Sequence, residues 1–244
     1  MAQGMAQGMA QMSIPADVTT SAFGVLSYDL AHMLGGAALI LSFALLYQRR
    51  IIAVINIYAL QGIVLAAAAA WAGWSQGAPH LYVTALIALI AKGVVIPIAL
   101  HKIVVRLNVH REIETALGIF PSMILGVALV ALSISVVLPT TSGAQAQTLT
   151  REDLSLALSV VLLGMLMMIT RRNALTQVVG FLSLENGLIL AAVGIEGMPL
   201  VVELSSAVLV LLAFVVFGVF FFRIRERFDT LDVSRLDEIG GSHR

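Results

Sequence analysis

Two ionisable side chains stand inside long apolar stretches of this sequence, Glu185 and Lys92. An ionisable group inside a membrane span costs about 2.5–3.5 kcal/mol on insertion scales and points to function by default. Low-dielectric surroundings disfavour the charged form of an acid or a base. A local structural or electrostatic change can then load or unload a proton. The plainer alternative is a static Glu–Lys pair that holds helices together. Glu185 and Lys92 fall near the middle of their stretches, at similar depth. A third carboxylate, Glu203, falls about one turn into the last apolar stretch.

Neutral polar residues extend the series. Gln61 is central in its stretch, with Tyr58 and Asn56 shortly before it. Asn186 adjoins Glu185, and Gln177 precedes it by about two turns. Such groups can hold waters in a proton wire or hydrogen-bond between helices. Pro97 removes the helical hydrogen bond to the carbonyl of Gly93, next to Lys92, and predicts a kink or loosened turn there. Gly180, Gly187, Ala191 and Gly194 recur at helical spacing and predict close helix packing.

The elements that must position these residues are membrane helices. Hydrophobic residues make up 59% of the 244 and charged residues 11%, against about 25% charged in soluble domains. Seven stretches reach the roughly 17–25 residues that spanning takes. They run over 27–47, 51–74, 81–105, 121–138, 154–170, 174–195 and 199–222, the fifth being the shortest and open to backward extension. Arg49 and Arg50, then Lys102, Arg106 and Arg111, then Arg171 and Arg172, then Arg223, Arg225 and Arg227 follow alternate spans. The other loops hold only Arg151. Positive residues favour the cytoplasmic side. The expected fold is therefore an all-α integral membrane protein of seven transmembrane helices, N-terminus outside and C-terminus cytoplasmic.

Residues 1–22, with their MAQG repeat and no Lys or Arg, predict a disordered low-complexity tail rather than a cleaved signal. Residues 23–139 form a four-helix membrane part, 140–153 a polar loop, 154–222 a three-helix membrane part and 223–244 a cytoplasmic tail. That tail is either solvated or an amphipathic segment docking on a cytosolic partner. The absence of cysteine excludes disulfides, iron–sulfur clusters and thiolate zinc sites within the chain. The charge balance shows no basic cluster suited to nucleic acid. His32 and His101 raise the question of bis-histidine haem, but they fall near opposite ends of their spans. A lysine among seven helices raises that of retinal, but Lys92 is on the third span and no ring-lined pocket is evident.

Arg171-Arg172-Asn173, Gln177, Gly180 and Leu184-Glu185-Asn186-Gly187 resemble the K-type subunit of respiratory complex I, where a basic pair precedes a helix bearing a buried glutamate. The longer chain resembles hydrogenase-4 component E, the larger K-like subunit of formate hydrogenlyase-type complexes. Tyr58 and Gln61, Lys92 with Pro97, Glu203 after Pro199, and the exit Phe228-Asp229-Thr230-Leu231-Asp232-Val233 extend that resemblance over most of the chain. It implies a membrane-arm subunit in the cell inner membrane that translocates protons or sodium. Implied partners are antiporter-like membrane subunits and a cytosolic nickel–iron hydrogenase module. Glu185 matches the family's central glutamate, Lys92 its membrane lysine and Glu203 an acidic residue opening the last helix. In relatives an aspartate stands about two turns after Glu203, where this chain has Leu209. The second carboxylate of the K-type pair is then missing or supplied by Glu203.

The expected mechanism places no redox centre, metal or cofactor in the chain. Glu185 carries a proton, Lys92 modulates it, Glu203 links it outward, and Gln61, Gln177 and Asn186 position water. Two alternatives stand beside this. One is a scaffold subunit whose polar residues only join helices. The other is an independent cation transporter, for which no internal repeat is evident.

Overall fold

In a computed structural model, the described residues are 16–106, 117–140 and 148–194. They are helical throughout apart from short turns, with no β-strand among them. The helices are α1 (Ala16–Tyr47), α2 (Ile51–Ser75), α3 (His80–Ile87), a π-helical segment (Ala88–Val95), α4 (Ile96–Arg106), α5 (Ile119–Thr140), α6 (Thr148–Thr170) and α7 (Ala174–Gly194). The run from α3 to α4 is one continuous crossing. Among the described residues six helices are thus long and apolar enough to cross a membrane. The expected seventh, with Glu203, Leu209 and the charged tail, lies outside the described residues.

The first six spans lie where the apolar runs place them, with two shifted edges. α1 starts at Ala16, inside the stretch expected to be a disordered tail. Its membrane-grade part is Asp29–Tyr47. α6 starts at Thr148, so the fifth span does extend backwards and takes up part of the expected polar loop.

Local chemistry sets the turns. α2 ends at Ser75 with Gln76 as its C-cap, after which Gly77 takes φ 63°, a left-handed conformation that glycine adopts without Cβ strain. The Ala78 N–H then returns to the Gly73 carbonyl at 3.0 Å, closing the helix end. Pro121 sits in the first turn of α5, where its missing N–H costs no helical bond. Asn173 starts α7: its Oδ1 accepts the Leu175 N–H at 2.9 Å, the usual N-terminal cap.

α2 is the hub on one side, packing on α1, on the third crossing and on α7. α6 is the hub on the other, packing on α1, α5 and α7. The α6–α7 contact is the tightest. A Cβ on Gly164 would fall 2.5 Å from the Leu184 backbone nitrogen, and one on Gly187 would fall 2.8 Å from that of Val161. Gly180 meets Met168 in the same way at 3.0 Å. The expectation of close approach thus holds for Gly180 and Gly187. Around Gly194, the last described residue of α7, a Cβ would meet nothing within 4 Å among the described residues.

Candidate functional site

The side chains at the centre come from α1, α2, the π-helical segment and α7. Lys92 lies in the π-helical turn ahead of Pro97. Because Pro97 cannot donate to Gly93, the preceding bonds slip by one residue, and the Ile96 N–H bonds to the Ala91 carbonyl. The loosened turn expected beside Lys92 is therefore a stretch of π-helix, a feature that often accompanies function. α2 meets this turn at Gly62. A Cβ there would come within 2.8 Å of the Lys92 carbonyl carbon. Only glycine lets the two backbones approach so closely, and the lysine side chain then reaches across α2 to α7.

Lys92 and Glu185 meet directly. Lys92 Nζ is 2.9 Å from Glu185 Oε2, and both side chains are more than nine-tenths buried. The ammonium aims its directional hydrogen bond at Asn186 Oδ1, 2.8 Å away. The ammonium has two further N–H groups and closes a buried ion pair with Glu185 Oε2, while Oε1 has no protein partner among the described residues.

The remaining hydrogen bonds form an ordered chain. Asn186 Nδ2 donates to Gln61 Oε1 at 3.2 Å. Gln61 Nε2 donates to Ser42 Oγ at 2.9 Å and to the Ala38 carbonyl at 3.5 Å. The Ser42 hydroxyl donates to that same carbonyl at 2.9 Å. Chemistry fixes these orientations. An ammonium has only donors, so Asn186 must show it oxygen and turn nitrogen to Gln61. The amide donors of Asn186 and Gln61 consequently point away from Lys92, and the series ends on the Ala38 carbonyl of α1. Aligned bonds of this kind polarise one another and hold the lysine's charge in place. Side-chain amides do not readily pass protons, so the chain orients Lys92 rather than conducting.

Tyr58 lies one turn from Gln61 on α2 and is fully buried. Its hydroxyl has no hydrogen-bond partner among the described residues. An unsatisfied buried hydroxyl costs about 1–3 kcal/mol. Such groups are ordinarily satisfied by internal water.

Other expected residues are placed elsewhere. Gln177 is exposed, and its Nε2 donates to the Arg171 carbonyl at 2.7 Å. It closes the α6–α7 turn and takes no part in the central cluster. Asn56 is exposed on the other face of α2. His101 is exposed on α4, while His32 turns to α6, with Nδ1 3.4 Å from Asp153 Oδ1 and 3.9 Å from Glu152 Oε2. The two histidines therefore form no axial pair. Among the described residues no three His, Cys, Asp or Glu side chains are placed to hold a metal.

Three contributors escaped the sequence reading. Ser42 is a lone hydroxyl among leucines, and Gly62 is one glycine in an alanine-rich helix. Arg171 read as a topology-setting charge, yet it is 2% exposed. Its Nη2 donates to the Leu46 and Leu45 carbonyls at 2.5 and 3.2 Å, capping the last turn of α1. Burial lowers its pKa, but a guanidinium starts so high that it stays charged. Its Nε and Nη1 have no partner among the described residues.

The chain is 27% identical over 212 residues to uncharacterised protein Rv0085 of Mycobacterium tuberculosis, a match covering 86% of this chain and 96% of that protein. No family model matches the chain. No solved structure matches it either.

Proposed function

We propose that the chain is a membrane-arm subunit of a complex I-like nickel–iron hydrogenase, of hydrogenase-4 or formate hydrogenlyase type. In this reading it contributes Glu185 and Lys92 to proton or sodium translocation driven by redox chemistry in partner subunits. The observation that carries the reading is the buried Lys92–Glu185 pair at mid-span, tied to an oriented hydrogen-bond chain and set in a π-helical turn. A proton moving from Lys92 to Glu185 turns an ion pair into a neutral pair. The site therefore has two charge states at nearly one geometry, and a charge arriving from a neighbouring subunit can bias them. Tyr58, whose buried hydroxyl has no hydrogen-bond partner among the described residues, binds a water within the cluster. The likeness of Arg171-Arg172-Asn173 and Leu184-Glu185-Asn186-Gly187 to the K-type subunit supplies the identity of the complex.

Partner identification tests this. Affinity-tagged chain purified from its native membrane in mild detergent should bring down antiporter-like membrane subunits and a nickel–iron hydrogenase. Recovery of the chain alone, with cation transport by the isolated protein, would move it to the independent transporters.

A second reading, a scaffold subunit of the same complex, is favoured by the way the polar cluster bridges four helical segments. Here Glu185→Gln lowers assembly while turnover per assembled complex stays intact.

A further inference from the structure

A cleft of about 740 Å³ opens between the α1–α2 turn and the first turn of α5. That volume is within the range of small-molecule sites, about 300–1,000 Å³. Its chemistry is divided. Arg49 and Arg50 supply two guanidinium groups, and among the described residues no acidic side chain lines the cleft. Both arginines are exposed and make no ion pair among the described residues. The opposite wall is apolar, with Ile119, Phe120 and Met123, and Phe120 is 77% exposed.

Its depth is equally specific. Tyr47 is the last residue of α1 and Ile119 the first of α5, so the cleft lies where membrane helices end. Headgroups and interfacial aromatics meet at that level. A soluble anion gains nothing from the apolar wall, and a zwitterionic lipid carries no net charge to neutralise two arginines. Basic pockets between membrane helices are recurrent sites for acidic headgroups.

We propose that this cleft binds an anionic phospholipid, its phosphate held by Arg49 and Arg50 and its acyl chain laid along Ile119, Phe120 and Met123. Guanidinium groups match phosphate oxygens in bidentate geometry. The site is remote from Glu185 in sequence and element, and it stands or falls independently of the proton reading.

The test is native mass spectrometry of the full chain in neutral detergent, offered equal amounts of phosphatidylglycerol and phosphatidylcholine with identical acyl chains. Phosphatidylglycerol should be retained about tenfold more than phosphatidylcholine, from its charge-assisted contacts. Arg49→Gln/Arg50→Gln should remove that preference. Arg49→Lys/Arg50→Lys keeps the charge that sets topology and should keep a weaker preference. If the glutamine variant does not fold, the wild-type and lysine-variant comparisons still decide. Equal retention of the two lipids by wild type overturns the proposal, as does undiminished preference in a folded glutamine variant. A thermal-shift arm with inorganic phosphate separates the sources. Stabilisation by phosphate equal to that by phosphatidylglycerol would make this a simple anion site and overturn the lipid assignment.

Discussion

At the scale of single residues, the cluster around Lys92 is a set of obligations. The ammonium has only donors, so Asn186, Gln61 and Ser42 must line up behind it as acceptor and donor in turn. Gln61→Leu strands the Asn186 Nδ2 amide in the interior, whereas the Ser42 hydroxyl keeps its bond to the Ala38 carbonyl. We expect a loss of about 1–3 kcal/mol, read as a lower Tm in detergent, with the ion pair retained. Lys92→Met leaves Glu185 without its 2.9 Å partner. Breaking a buried pair from one side costs about 3–5 kcal/mol. Coupling of ion movement to turnover should fall with it, and unchanged coupling would reduce Lys92 to a structural residue. Glu185 and Lys92 were legible in the sequence because charge in an apolar run is conspicuous. Ser42 was not, since one hydroxyl in a helix ordinarily bonds its own backbone. Nor was the burial of Arg171, because a basic residue between two spans reads as topology.

At the scale of elements, two features place Lys92: the π-helical turn and the glycine it rests on. Pro97→Ala restores a donor to the Gly93 carbonyl and lets the turn rewind as α-helix. Each residue of the turn then rotates about the helix axis, taking Lys92 away from Glu185. We expect equal or higher thermal stability together with impaired translocation, a combination that a merely structural proline would not give. Gly62→Leu forces α2 off the Lys92 backbone, and overpacking of this kind costs about 1–3 kcal/mol. Gly194→Ala, at a position open among the described residues, should leave Tm unchanged and serves as the control. The proline signal was readable in advance because its missing hydrogen bond is a local fact. Gly62 was unreadable, because close approach belongs to a helix pair that sequence spacing cannot name. The run of Gly180 and Gly187 was visible because they repeat, while Gly194 shares the spacing but meets no neighbour among the described residues.

At the scale of the whole molecule, the apolar runs accounted for six membrane-grade helices with little error at their ends. Helix neighbours were beyond them. The third crossing and α7 both pack on α2, and nothing in residue order announces that. Orientation rests on the arginines at one end, and it has a direct test, since the chain has no cysteine to confuse it. In intact cells Ser75→Cys should react with a membrane-impermeant maleimide, whereas Gln48→Cys should react only after permeabilisation. The reverse pattern would invert the bundle.

The central claim is that Glu185 carries the translocated proton. It is tested most directly by redox-driven proton uptake into inverted membrane vesicles, measured for wild type and Glu185→Gln and normalised to assembled complex. The account predicts uptake reduced about tenfold or more, as expected for removal of an acid–base group, with assembly preserved. Full uptake in the variant would contradict it, as would a loss wholly explained by less assembled complex.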